Sequence, residues 1–241
     1  MSALTALPQG QALWHLLQIS DQFFPTGGYA FSHALEMYIA AGQIHDRASC
    51  QQWIANLCWQ AIGPCDLVFC AQAHRLAAMG RHSAEELAAC LRLDEDLHAY
   101  KVARELRQES QHTGQAFLRA VLGLTPSPLV QAFWQHVQQG TTPGHHALVF
   151  GLAAPSLGLD HASTLLAYLY TVLTGLVAAA LRLVPLGQSD GQRLLHALAP
   201  LSVEMIAAYR AISPEDAWSA TPGLDIRSMQ HERLYSRLCR S

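Results

Sequence analysis

The sequence predicts an all-α protein, a single compact multi-helix domain with a buried central helix. Helix-forming Ala, Leu, Gln and Arg are abundant, whereas alternating runs of Val, Ile and Thr are nearly absent. Hydrophobic residues make up 51% of the 241 residues and charged residues only 14%, which excludes a disordered chain. Because a chain of this length can bury a core without disulfides or a metal, we expect residues 1–241 to form one domain.

Capping and turn residues divide the chain into helices. Ser83 with Glu86 forms the capping-box pattern S-x-x-E, Asp94 can cap a long helix, and Pro64 fits a first helical turn. Glycines stand where helices are expected to stop, at positions 80, 123, 140 and 187. The predicted helices cover residues 11–20, 31–42, 48–62, 65–79, 83–91, 94–122, 128–138, 145–154, 161–183, 190–212 and 225–238.

The predicted helix 94–122 has two contrasting faces. Ser110 and Gly114 lie on one face and lack bulk, so another helix could approach closely there. Leu106 and Phe117 fall near the same face. The opposite face alternates in charge, a pattern that is typical of a solvated surface.

Charge is nearly missing from the middle of the chain. Between Ala120 and Leu181 the one formally charged residue is Asp160, and Ala162–Leu181 is an uncharged run of twenty residues. Such a run could span a bilayer or could form a central helix buried on all sides. Its threonines and tyrosines, and flanks without a basic cluster, favour the buried helix and no association with a membrane.

The overall charge and the cysteines restrict the class of protein. A formal net charge of −3 provides no basic field for nucleic acid. The six cysteines form no C-x-x-C pair and match no zinc module, so we expect buried, reduced thiols. The first twenty residues carry no charge and no secretory cleavage site, which favours a cytoplasmic protein.

Motifs of catalysis are missing from the sequence. It contains no G-x-x-x-x-G-K-[ST] loop for a nucleoside triphosphate, no G-x-S-x-G and no zincin motif, so we expect no enzyme. His145 and His146 are the one adjacent histidine pair and follow the turn Thr142–Gly144. This pair could contribute to a metal site, but a packed or solvent-facing pair is the simpler interpretation, and we predict no metal site.

Two segments differ from an ordinary core. Residues 23–33 place four aromatic side chains around Pro25 and the pair Gly27-Gly28, which is compatible either with a turn fixed by aromatic packing or with a docking loop. The segment 227–241 combines four arginines and one glutamate with leucine and tyrosine, a composition typical of a docking anchor.

Four segments, in matching order, resemble the UreF family, the F-type urease accessory proteins. Residues 24–36, FPTGGYAFSHALE, resemble the family's P-x-G-(small)-aromatic…S-x-G-L-E signature. Residues 105–114 resemble its E-x-R-x-x-S-x-x-x-G helix, and residues 185–188 match its P-L-G-Q turn. The end of the chain, from His231-Glu232 to Ser241, resembles its H-E…R-L-F-R-S tail.

The resemblance covers nearly the whole chain, from about Leu13 to Ser241, with two departures. Ala34 stands where the family usually has Gly, which would tighten or shift the start of a helix. Cys239 stands where the family usually has Phe, which removes an aromatic side chain from the docking tail.

The resemblance implies an all-helical, non-enzymatic homodimer that acts in urease maturation. Family members bind the accessory protein UreD or UreH, and the complex recruits the GTPase UreG and delivers nickel to apo-urease. The tail at 225–241 would dock on UreD/UreH, and nickel and GTP would be handled by the complex, with no cofactor assigned to this chain. A role for an exposed arginine in gating GTP hydrolysis is a narrower hypothesis. The alternative is a histidine-based nickel carrier.

The matched motifs and the tail define a set of candidate partner-binding residues. They are Pro25, Gly27, Gly28, Tyr29, Phe31, Ser32, Glu36, Glu105, Arg107, Ser110, Gly114, Gln188, His231, Glu232, Leu234, Tyr235, Arg237, Leu238 and Arg240.

Overall fold

Helices provide nearly all of the regular structure in the computed structural model, which describes residues 7–125, 127–234 and 239. No β-strand occurs among those residues, and the predicted all-α fold class is confirmed. Single 3₁₀ turns lie at Gly28–Ala30, Ala154–Leu157 and Pro214–Asp216. The α-helices are α1 (Leu7–Ser20), α2 (Leu35–Ala40), α3 (Arg47–Leu57), α4 (Val68–Ala78), α5 (Ala84–Tyr100), α6 (Arg104–Leu122), α7 (Pro128–Gln138), α8 (His146–Ala153), α9 (His161–Leu183), α10 (Gln188–Tyr209) and α11 (Pro222–His231).

Side-chain caps start several helices where short polar side chains precede them. The predicted capping box is confirmed: the Glu86 backbone N–H donates to Ser83 Oγ, and the Ser83 N–H donates to the Glu86 carboxylate. Asp160 caps α9 by accepting from the Ser163 N–H at 2.7 Å. Gly187, predicted at a helix end, instead precedes α10 as its N-cap residue.

Pro64 does not begin a helix, so the predicted division into helices 48–62 and 65–79 is wrong. The chain is helical from Arg47 to Ala78, and residues 58–67 form wide π-helical turns that join α3 to α4. Proline has no N–H, and its ring clashes with the carbonyl four residues earlier in a regular α-helix, which a wider turn relieves. That carbonyl, of Gln60, accepts instead from the Ala220 N–H at 2.9 Å.

The predicted helix 94–122 is also wrong, because the chain breaks between α5 and α6. Lys101 leaves the helical conformation and its Nζ lies 2.5 Å from Asp66 Oδ1, inside the protein. Asp94 was expected to cap a helix but lies within α5, fully buried. Its carboxylate accepts hydrogen bonds from Thr142 Oγ1 and from the backbone N–H groups of Gly144 and His145.

The core lies around α8, whose residues are all buried between α4 and α6. A Cβ on Gly151 would lie 2.1 Å from the Cys70 carbonyl oxygen, so glycine is needed for the close approach of α8 to α4. Two helical stretches, Arg47–Ala78 and His161–Leu183, are long and apolar enough to cross a membrane, but their apolar windows are 72% and 61% buried within the protein. Helix α9 therefore belongs to the core, although it is not buried on all sides as the sequence suggested: Leu166 and Tyr170 remain about half exposed.

All six cysteines are free and buried, which confirms their predicted environment. Burial raises the pKa of Cys50 to about 11 and the pKa values of Cys58, Cys65 and Cys90 to about 12. These thiols therefore stay protonated, which suits packing rather than metal binding or nucleophilic chemistry.

Candidate partner-docking site

Residues from three separate motifs meet at His231, near the end of α11. Its Nδ1 lies 3.0 Å from Glu105 Oε2, on the first turn of α6, and its Nε2 lies 3.3 Å from Glu36 Oε2, on α2. The imidazole is completely buried, and the two carboxylates are nearly so. Through these two contacts, the ring joins the end of α11 to both α2 and α6.

Further contacts connect the segment after α11 to the same place. Glu232 pairs with Arg104 at 3.0 Å, and the Cys239 N–H donates to Glu36 Oε2 at 3.4 Å. Cys239 is buried, and its Sγ lies 3.6 Å from a guanidinium nitrogen of Arg182 on α9. The residue that departs from the UreF pattern thus packs against this protein's own α9.

The aromatic loop is divided between the core and the surface. Phe24 and Phe31 are buried, whereas Phe23 is 96% and Tyr29 is 64% exposed. Gly27 takes a φ of +70°, in the left-handed region that glycine favours. The Arg182 guanidinium donates to the Tyr29 carbonyl, so the side chain that contacts Cys239 also holds this loop. Two aromatic side chains therefore pack the turn against the core, whereas Phe23 and Tyr29 face outward, and a docking role for them stays a prediction.

Ser110 and Gly114 bring α6 against the start of α8, as the sequence predicted for a close helix approach. A Cβ on Gly114 would lie 2.2 Å from the Gly144 oxygen and 2.7 Å from the His146 nitrogen. Ser110 Oγ lies 3.0 Å from His145 Nδ1 and accepts from the His146 N–H at 3.3 Å. These two motif residues therefore shape the contact between α6 and α8 in the core rather than an exposed surface.

His145 and His146 form a packed pair, the simpler of the interpretations considered from sequence. Burial, with the charge of Lys101 as the next cause, lowers the pKa of each to about 3. His145 Nε2 lies 3.0 Å from His98 Nδ1, which also receives the Gln111 amide. Within residues 7–125, 127–234 and 239, no group of three or more His, Cys, Asp or Glu side chains could hold a metal ion.

An exposed apolar face lies beside the aromatic loop, where α1 packs on α9. Leu13, Trp14 and Leu17 of α1 are 58%, 69% and 59% exposed. Leu166 and Tyr170 project from α9, with 45% and 49% exposure. We call these five residues the α1/α9 face. Exposed apolar residues grouped in this way are typical of an interaction surface.

The structure does not bring all of the candidate residues together. Pro25 is exposed, Ser32 is buried, and Arg107 is half-buried. Gln188 is exposed at the start of α10, which packs on α3 and α9 and not among the helices around His231. Leu234 is half-buried, and its N–H donates to the His231 carbonyl at 3.0 Å. The remaining candidates lie outside the described residues: Tyr235, Arg237, Leu238 and Arg240.

Sequence reasoning missed three residues that organise this region. Arg182 contacts both the loop and the tail, Asp94 holds the turn before α8, and His98 completes the polar chain to Ser110. Arg182 is the first formally charged residue after Asp160 in the otherwise uncharged sequence of α9. This isolated charge was the sequence feature that could have marked Arg182 as a candidate. Asp94 and His98 carry no comparable signal.

Comparison with known proteins identifies the family of this chain. A family model described as UreF matches residues 44–199. The chain belongs to the UreF family. Proteins called "Urease accessory protein UreF" match it at 34% identity in Actinobacillus pleuropneumoniae serotype 3 (strain JL03), covering 92% of this chain and 96% of the relative, and at 32% in Bacillus sp. (strain TB-90), covering 94% and 97%. The relative in Bradyrhizobium sp. (strain BTAi1 / ATCC BAA-1182) is 33% identical, and the match covers all of this chain and 96% of the relative's length.

Ala34, one of the two departures from the UreF pattern, adopts a left-handed backbone conformation. Ala34 precedes α2 with a φ of +59°, in the left-handed region where the family's usual glycine is favoured. Helix α2 begins directly after Ala34, with this alanine held in a conformation that L-residues rarely adopt. Its side chain is completely buried, next to the segment that carries Glu36.

Proposed function

We propose that this UreF-family chain is a non-catalytic scaffold in urease maturation, which bridges UreD/UreH and the GTPase UreG in the cytoplasm while nickel is delivered to apo-urease. The observation that carries the proposal is the meeting of Glu36, Glu105 and His231, because residues from three separate motifs of the family build one anchor for the end of the chain. Relatives named as urease accessory proteins match over nearly the whole chain.

The segment 225–241 is the docking element for UreD/UreH in this proposal. The outer side of α11 supports that role, since Ile226 and Met229 are 55% and 46% exposed. Val102, in the break before the neighbouring α6, is 57% exposed. The anchor at His231 holds the base of this segment, in which Arg227 and the exposed Arg233 alternate in sequence with apolar residues. A partner would thus meet apolar side chains with positive charge around them.

The α1/α9 face is the homodimer interface in this proposal. Five large apolar side chains in one place would be stabilised by burial against the same face of a second copy. The neighbouring loop, with exposed Phe23 and Tyr29, would extend that interface or contact UreG. Gating of GTP hydrolysis would act through the partner's nucleotide, because this sequence has no P-loop.

The alternative of a histidine-based nickel carrier has less support. Its natural candidates, His145 and His146, are buried and hydrogen-bonded or packed against aromatic rings. Binding nickel there would require opening the core around α8.

Urease activation in cells tests the proposed function. A host carrying a urease operon that lacks its UreF gene is complemented with the full chain, with a chain lacking residues 226–241, or with the exposed-surface variant Val203→Asp. We expect the full chain and Val203→Asp to restore urease activity and the shortened chain to fail. Restoration by the shortened chain would refute a role for the tail, and failure of the full chain to restore activity would refute the function.

A further inference from the structure

A cavity of about 140 Å³, partly open to solvent and lined by both polar and apolar side chains, lies between the π-helical segment, α6 and α9 and reaches His146 of α8. Its wall includes the ion pair of Lys101 with Asp66, at 2.5 Å, and the pair of His33 with Glu109, at 2.8 Å. A cavity lined by apolar side chains alone stays dry, whereas ionised groups make an empty cavity costly.

Several polar atoms of the cavity wall have no partner in the protein. They are Ser20 Oγ, Glu109 Oε2, Thr113 Oγ1 and His146 Nε2, each buried and each belonging to a residue that lines the cavity. Glu109 and Thr113 follow each other by one turn of α6 and so share a face, which α8 with His146 approaches. This cavity therefore collects several of the buried polar atoms that lack a partner in the protein, although others, such as Ser228 Oγ, lie elsewhere.

The chemistry of these atoms selects water as the occupant. Glu109 Oε2 needs a donor, whereas the hydroxyls of Ser20 and Thr113 can both donate and accept. A water molecule supplies two donors and two acceptors. Each water molecule takes up roughly 30 Å³ in the liquid, so this cavity accommodates a small cluster of water molecules. The ion pair of Lys101 with Asp66 favours the same occupant, because water solvates charges of both signs.

We propose that the cavity is a water-binding site, in which a resident cluster of ordered water molecules bridges Glu109 and Thr113 of α6 to His146 of α8. The cluster completes the hydrogen bonding of the Glu109 carboxylate, whose other oxygen pairs with His33. Direct side-chain packing is thus replaced by water at this part of the α6–α8 contact.

The first test is a high-resolution crystal structure of the full chain. Discrete water peaks within hydrogen-bonding distance of Glu109 Oε2 and Thr113 Oγ1 would support the proposal. An empty cavity would overturn it, and so would density that requires a larger molecule or a metal ion.

The second test compares two substitutions by thermal unfolding. Thr113→Val keeps the side-chain volume but removes a hydroxyl that would bind water, so we expect Tm to fall by about 2–4 °C. Ser228→Ala is the control, since Ser228 Oγ is buried without a partner outside this cavity, and its removal should leave Tm unchanged or raise it. A rise in Tm for Thr113→Val, as for the control, would show a dry cavity and overturn the proposal.

Discussion

Nδ1 of His231 lies 3.0 Å from Oε2 of Glu105, which joins the first turn of α6 to the end of α11 across 126 positions of sequence. Since Nε2 of the same ring lies 3.3 Å from Glu36 Oε2, one buried imidazole contacts carboxylates of two helices. The end of α11 is therefore fixed to the core by hydrogen bonds as well as by packing.

His231→Ala should be strongly destabilising. It removes the ring that contacts the Glu105 and Glu36 carboxylates, and the loss of a hydrogen-bond partner from a buried polar group costs about 1–3 kcal/mol for each group. Urea denaturation measures the loss of unfolding free energy. His196→Ala, at an exposed position of α10, is the matched control and should change stability by less than about 0.5 kcal/mol. Equal effects of the two substitutions would contradict the anchor.

Stability should fall as the pH drops below neutrality. In the folded protein the pKa values of His145 and His146 are lowered to about 3, from an ordinary 6.5. Below pH 6.5 these histidines are therefore protonated in the unfolded chain but stay neutral in the folded protein, which favours unfolding. Between pH 7 and pH 5 this costs roughly 2 kcal/mol for each histidine. Denaturant titrations at the two pH values check the loss. His146→Gln should remove about half of the pH-dependent loss of stability that the two histidines cause. A pH dependence unchanged by this substitution would contradict the lowered pKa of His146.

Gly114→Ala should destabilise the protein by about 1–3 kcal/mol or more, because the new Cβ would overlap the Gly144 carbonyl oxygen and push α6 away from α8. Gly175→Ala, in α9, is the matched control. No atom lies within 4 Å of the Cβ there, so alanine should stabilise the helix by roughly 0.5–1 kcal/mol. Thermal unfolding of the two variants gives the comparison, and effects of the same sign would refute the close approach.

Charge on the α1/α9 face should prevent dimer formation. In Trp14→Asp with Leu17→Asp, two exposed apolar side chains become carboxylates, and in a symmetric interface each change occurs twice. Analytical ultracentrifugation should find a dimer for the unchanged chain and a folded monomer for the double variant. Val203→Asp, at a residue that is 64% exposed on α10, should remain dimeric. A dimer that survives the double substitution would place the interface elsewhere.

The all-α fold was predictable because its signals are local. The capping box at Ser83 and Glu86 and the uncharged run of α9 act over a few residues, and both appear in the structure where the sequence puts them. The break before α6 was not predictable, since residues 101–103 contain no glycine or proline. It is stabilised by the distant pair of Lys101 with Asp66, so tertiary contacts override helix propensity.

The candidate site was predictable as a set of motifs but not as an arrangement. The sequence marked Glu36, Glu105 and His231 separately, and only folding shows that they share hydrogen bonds. Ser110 and Gly114 were grouped with them, yet they serve the α6–α8 contact. Residue type alone could not separate these roles, because a small or polar side chain suits both a tight core contact and a docking surface.

Co-purification with UreD/UreH and UreG tests the central claim most directly. The full chain is compared with a chain lacking residues 226–241 and with His196→Ala, and circular dichroism verifies that each is folded. We predict that the full chain and His196→Ala form the complex and that the shortened chain does not. A shortened, folded chain that still captures UreD/UreH, or a full chain that captures neither partner, would contradict the account.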